Sequence, residues 1–155
     1  MMIYETYDLD LINRIANLPE ILPHITPPDG SISELDFVDE VSNPFRYKFL
    51  VNEDHTGMTI FENYLPGCWE GHTLFSLECR GKKAVTTGKA MTKYMCEHYP
   101  VILLSGQTPV DNLAANRFNT LVGWIKVNGL AHPGTQFTGI HQIMGPVNYY
   151  VFMGV

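Results

Sequence analysis

Residues 70–84 run Glu70-Gly71-His72-Thr73-Leu74-Phe75-Ser76-Leu77-Glu78-Cys79-Arg80-Gly81-Lys82-Lys83-Ala84, and the hydrophobic period changes within this stretch. From Cys68 to Leu77 the period is two, which sets Glu70, His72, Leu74 and Ser76 on one face of a strand and Trp69, Thr73, Phe75 and Leu77 on the other. From Lys82 to His98 it becomes helical, with Ala84, Gly88, Met91 and Met95 at i, i+4, i+7 and i+11, the stripe of a helix lying on a sheet. Pro100 closes the helix, and Val101–Ser105 is an apolar run expected to be a strand buried on both faces. A strand, a crossing helix and a second strand predict a parallel pair, the strand from Cys68 beside the strand from Val101.

Working outward, Met2–Tyr7 is β-prone, and Asp8 or Asp10 offers an N-cap for a helix over Leu11–Asn17. Pro19 and Pro23 interrupt the chain after it, Pro27, Pro28, Asp29 and Gly30 make a loop, and a second short helix is expected between Ser33 and Glu40. Tyr47–Asn52 and Gly57–Tyr64 flank a short polar connection, which predicts an antiparallel hairpin. On the far side, Pro109, Asp111 and Asn112 introduce a helix with the stripe Leu113, Ala114, Phe118, Leu121 and Val122, stopped by Gly123. Trp124–Val127 and Val147–Met153 are the last two strands. The expected order is β-α-α-β-β-β-α-β-α-β-β, an α/β (α+β) fold with a mixed sheet in one domain spanning residues 1–155.

Composition narrows the function classes. With 45% apolar and 17% charged residues the chain is globular in balance, and 155 residues suffice for a hydrophobic core. A net charge of -6 argues against non-specific nucleic-acid binding, although Arg80, Lys82 and Lys83 form one local cationic cluster suited to an anion. Cys68, Cys79 and Cys96 form no C-x-x-C pair and the six histidines are scattered, so neither a disulfide framework nor a metal site is expected. No basic and apolar leader opens the sequence and no run reaches about 18 apolar residues. Neither a secretion signal nor membrane insertion is expected.

The stretch 70–84 resembles the strand, pyrophosphate loop and helix start of the acetyltransferase (GNAT) superfamily, and its E-x-H-T-x-F strand is similar to a branch found in tailed bacteriophages. The later run Pro109-Val110-Asp111-Asn112-Leu113-Ala114-Ala115-Asn116-Arg117-Phe118 resembles the superfamily's N-x-x-A-x-x-F helix, with Gly123-Trp124 where Gly-Phe is usual. The resemblance implies acetyl-CoA as cofactor, held by Phe75, Leu77, Arg80, Gly81, Lys82, Lys83, Ala84, Val85 and Asn112, and it implies Glu70 and His72 as the catalytic pair that takes the proton of an amine. Against the pattern R-x-x-G-x-G/A, Lys83 and Val85 stand at the glycine positions, and Asn119 stands where a tyrosine commonly acts as acid.

Two functions are expected on these grounds. The phage resemblance implies a virion-assembly protein with a degenerate acetyl-CoA site, located in the virion or the host cytoplasm. It would dock on head, neck or tail proteins through the Gly-rich stretch Gly129–Gly145. The alternative is an active acetyl-CoA-dependent N-acetyltransferase acting on an amine of a small molecule or host protein.

Overall fold

The parallel pair at the centre organises the molecule. A computed structural model describes residues 1–27, 29–133 and 146–153. Its strands are β1 (Ile3–Glu5), β2 (Tyr47–Asn52), β3 (Gly57–Leu65), β4 (Cys68–Phe75), β5 (Leu103–Pro109), β6 (Ile125–Pro133) and β7 (Pro146–Met153). Its helices are α1 (Leu9–Ala16), α2 (Leu22–Ile25), α3 (Val38–Val41), α4 (Gly81–His98) and α5 (Leu113–Val122). The strands form one sheet in the order β1-β2-β3-β4-β5-β7-β6. β4 and β5 run parallel, as the crossing helix α4 requires, and every other neighbouring pair is antiparallel. The α/β mixed-sheet expectation holds.

The sheet carries a core on each face. Against α1 and α2, Ile12, Ile15 and Ile25 pack on Phe49, Val51, Met58, Ile60 and Leu74. Against α4, Ala84, Met91 and Met95 pack on Leu50, Phe61, Phe75 and Leu104. Alternation along β2 explains the division, since Phe49 and Val51 belong to one core and Leu50 to the other. A fully buried aliphatic side chain contributes about 1.5–3 kcal/mol, so the stripe along α4 holds that helix in place more firmly than propensity alone.

Local chemistry sets the element ends. Asp8 caps α1, accepting a hydrogen bond from the Leu11 amide at 3.1 Å. Gly123 ends α5 at φ 107°, the left-handed conformation glycine takes freely.

The structure departs from expectation in several places: β1 shortens to Ile3–Glu5 and β6 extends to Pro133, and other differences have local causes. An extra turn, α2, forms after Ile21 with Pro23 in its first turn, where a missing N–H costs nothing. The helix expected over Ser33–Glu40 shrinks to Val38–Val41, because Asn17 Oδ1 and Asn13 Oδ1 accept the backbone N–H groups of Leu35 and Phe37 and hold that segment out of a helix. β4 ends at Phe75 instead of Leu77, since the Cys79 amide folds back onto the Ser76 carbonyl and leaves Leu77 exposed in the turn. The strand expected over Val101–Ser105 starts at Leu103, and its burial alternates along the chain, with Leu104, Gly106 and Thr108 buried and the residues between them only half-buried.

Candidate active site

Registered pairing between β4 and β5 covers Cys68–Leu103, Trp69–Leu104 and Glu70–Ser105, and stops there although both strands continue. From Gly71 and Gly106 onward the two strands part. The wedge opens into a cleft of about 1020 Å³ that runs between α4 and α5 on one face and reaches Ile21, His24 and Ile25 on the other. Its apolar walls include Phe75, Ala84, Met91, Phe118 and Val122. Phe118 meets Phe75 edge to face at 5.5 Å.

At the mouth of this cleft lies the start of α4. Arg80 occupies the N-cap position in an extended conformation, and no side chain caps the helix. The amides of the first turn therefore face the cleft's end without a capping acceptor, which is the electrostatic environment an anion seeks. Gly81 follows at φ 58°, and nothing lies within 4 Å of where its Cβ would stand. Arg80, Gly81, Lys82, Ala84 and Val85 all line the cleft, joined by Arg117 from α5. Lys83 does not: its Nζ is ion-paired with Asp54 Oδ2 at 2.6 Å on the β2–β3 turn, so its side chain leaves the space beside the loop open. Leu77 lies in the turn, 67% exposed and away from the cleft lining. Asn112 combines two positions, accepting the Ala115 amide as the cap of α5 and lining the cleft.

The face opposite α4 carries the titratable groups. Glu70 and His72 point to that face from β4, where their cross-strand partners on β3 are Glu62 and Ile60. His72 is buried and lines the cleft. Glu70 lines a smaller adjoining groove with Tyr64, Ser105 and Tyr149. Gln107 lines both spaces and hydrogen-bonds Glu70, so it joins them. Burial, followed by the nearby charge of Glu62, pushes the Glu70 carboxyl up to about 8, while the bond to Gln107 opposes the rise. Glu62 is itself held by Arg46 at 2.6 Å. One oxygen of Glu70, Oε1, is buried without a hydrogen-bond partner among the described residues, a state that favours a bound proton or an arriving donor.

Sequence reasoning does not place Gln107, Arg117 or Trp124 in the site. Gln107 carries no motif. Arg117 sits inside the N-x-x-A-x-x-F run, where its place one position before Phe118 is the available signal. Trp124 reads as a core residue in the sequence, yet it lines the cleft. Asn119, at the position of the usual acid, donates its side-chain amide to Thr108 Oγ1 at 2.9 Å. No tyrosine lines the cleft among the described residues, and no group of three His, Cys, Asp or Glu side chains among them is placed to hold a metal ion. No helix among the described residues is long and apolar enough to cross a membrane.

No family model matches the sequence, and no curated relative was found. Solved structures do match. A putative acetyltransferase from Salmonella typhimurium, solved with acetyl-CoA, aligns with TM-score 0.68 at 15% identity over 99% of this chain and 94% of its own. A spermidine N-acetyltransferase from Vibrio cholerae, in complex with CoA and spermine, aligns with TM-score 0.67 at 15% identity over 99% and 95%. A GNAT-family acetyltransferase from Bacillus anthracis aligns with TM-score 0.68 at 14% identity over 98% and 93%. With its mixed seven-stranded sheet and parted central strands, the chain has the GNAT acetyltransferase fold.

Proposed function

We propose that the chain is an N-acetyltransferase that moves an acyl group from coenzyme A to an amine. The observation that carries this is the uncapped start of α4 at the mouth of the wedge between β4 and β5. The residues present suit the cofactor. Arg80, Lys82 and Arg117 gather positive charge beside free helix amides, which suits a pyrophosphate. Phe75, Ala84 and Phe118 wall the narrow passage beyond it. The neighbours solved with acetyl-CoA or CoA support the assignment.

A CoA thioester supplies an activated acyl carbon and a thiolate leaving group, whose C–S bond breaks as the C–N bond to the acceptor forms. The chain's own residues manage the proton. An amine arrives as an ammonium ion and must lose one, and Glu70 Oε1 is the atom to take it, directly or through a water beside Gln107. A carboxyl raised to about 8 is matched to that task near neutral pH. His72, buried on the same face, borders the acceptor side of the cleft. Asn119 cannot supply a proton, so the second proton of the amine, released as the amide forms, is the one that neutralises the departing thiolate. The spermidine N-acetyltransferase from Vibrio cholerae, solved with CoA and spermine, supports an amine as the acceptor. No described residue favours docking on head, neck or tail proteins, and most of the Gly129–Gly145 stretch invoked for it, residues 134–145, lies outside the described residues.

Calorimetry with CoA tests the assignment. Binding is expected to weaken about tenfold to a hundredfold in each of Lys82→Ala and Arg117→Ala, the range for losing one charge-assisted contact. Mass spectrometry of a polyamine panel incubated with acetyl-CoA should reveal acetylated product. Failure to bind CoA at millimolar concentration would sink the proposal.

A further inference from the structure

One cleft residue belongs neither to the anion-binding mouth nor to the proton-handling face. Trp124 follows the cap Gly123 and turns its indole back onto the sheet at the apex of the wedge. A Cβ built on Gly71 would lie 3.3 Å from Trp124 Cη2, and one built on Gly106 would lie 3.1 Å from Trp124 Cζ3. The same six-membered ring thus rests on both strands at once, one residue beyond their last registered pair. Neither glycine has a positive φ, so their conformations do not call for glycine. The room they leave for the ring does.

The ring is fixed from its other end as well. Trp124 Nε1 donates to Thr92 Oγ1 on α4 at 3.2 Å, which ties the indole to the helix that forms one wall of the cleft. Phe61, itself a lining residue of the cleft, stands beside it. The Cβ position of Gly71 is also 3.1 Å from Phe61 Cε1, and Phe61 and Leu104 belong to the packed core under α4. A chain entering the wedge from the mouth at α4 would meet the part of the indole that lines the cleft.

We infer that Trp124 is the end wall of the acyl space, restricting the donor to a short acyl group such as acetyl, and that a smaller side chain there would admit a longer one. The inference rests on the acyltransferase assignment above and extends it to donor specificity. Gly71 and Gly106 share the role as the floor on which the wall stands. Lys82 and Arg117, at the mouth, act on every CoA derivative alike, whereas Trp124 acts only on the acyl chain beyond the sulfur.

The test compares affinities of CoA, acetyl-CoA and hexanoyl-CoA for the wild-type chain, Trp124→Ala and Trp124→Phe by calorimetry. Each added methylene that finds apolar cover is worth about fourfold in affinity. In the wild type hexanoyl-CoA should bind at least about tenfold more weakly than acetyl-CoA, because the indole seated on Gly71 and Gly106 blocks the path of its chain. In Trp124→Ala that order should reverse once each affinity is expressed relative to that of CoA for the same protein, which removes any general loss of binding. Trp124→Phe, which keeps an aromatic ring, should give an intermediate ratio and guards against a poorly folded alanine variant.

A second readout leaves Trp124 in place. The chain has two tryptophans, of which Trp124 lines the cleft and Trp69 does not, so in a Trp69→Phe background a ligand-dependent change in indole fluorescence reports Trp124. Acetyl-CoA should shift or quench the emission beyond the effect of CoA. CoA binding with unchanged chain-length preference in both variants, or identical emission with CoA and acetyl-CoA, would overturn the inference and leave the acyltransferase assignment standing. Absence of CoA binding in every protein would remove the assignment itself and the inference with it.

Discussion

Glu70 shows how a single side chain couples chemistry to folding. Its carboxyl has an ordinary value of 4.5 and rises to about 8 in the folded chain, through burial first and the charge of Glu62 second. The folded state therefore holds the proton more tightly than the unfolded state. This contribution to stability is complete below about pH 4.5 and falls away as pH climbs toward 8. Activity runs the other way, because only the ionised form accepts a proton. In Glu70→Gln, kcat/KM should drop about 10²–10⁴-fold, the usual worth of a general base, and the rise in rate centred near pH 8 should vanish. Urea denaturation at pH 5 and pH 8.5 provides the matching stability measurement. The variant should gain on the wild type at the higher pH, and a gap that stays constant with pH would contradict the burial of this carboxyl.

At the scale of elements, the packing of α4 on α5 decides the shape of the cleft. A Cβ on Gly88 would stand 2.6 Å from Phe118 Cζ and 2.9 Å from Val122 Cγ2. Gly88→Ala adds helix propensity worth about 1 kcal/mol, but overpacking a close contact costs about 1–3 kcal/mol. The thermal midpoint should fall, and a rise would mean that α5 can retreat without loss. Much of this arrangement is legible in the sequence. The stripe Ala84, Gly88, Met91 and Met95 marks α4, Gly123 marks the end of α5, and the parallel placement of β4 and β5 comes from the helix between them. Other features depend on contacts between distant residues. Ser33–Phe37 reads as a helix start until Asn13 and Asn17 capture its backbone amides from a different helix. Lys83 reads as one of a cationic cluster suited to an anion until Asp54, twenty-nine residues earlier in the chain, draws it aside. Trp124 and Gln107 acquire their roles only because strands that are remote in sequence part beside them.

For the molecule as a whole, a ligand that binds only the folded chain should stabilise it by mass action. At a CoA concentration one hundred times its dissociation constant the gain is about 2.7 kcal/mol. That corresponds to a thermal midpoint higher by roughly 5–10 °C for a chain of this size, and scanning fluorimetry over a CoA dilution series would show it. The wedge has a consequence for the unliganded protein too. Past Glu70 and Ser105, β4 remains paired with β3 and β5 with β7, but their inward-facing main chains have no strand between them. The sheet therefore carries two strand edges in its interior that do not pair with each other, a feature that folded proteins normally confine to the periphery and guard with charge or proline. An extended segment bearing amides of its own is the kind of chain that can complete a ladder between two such edges.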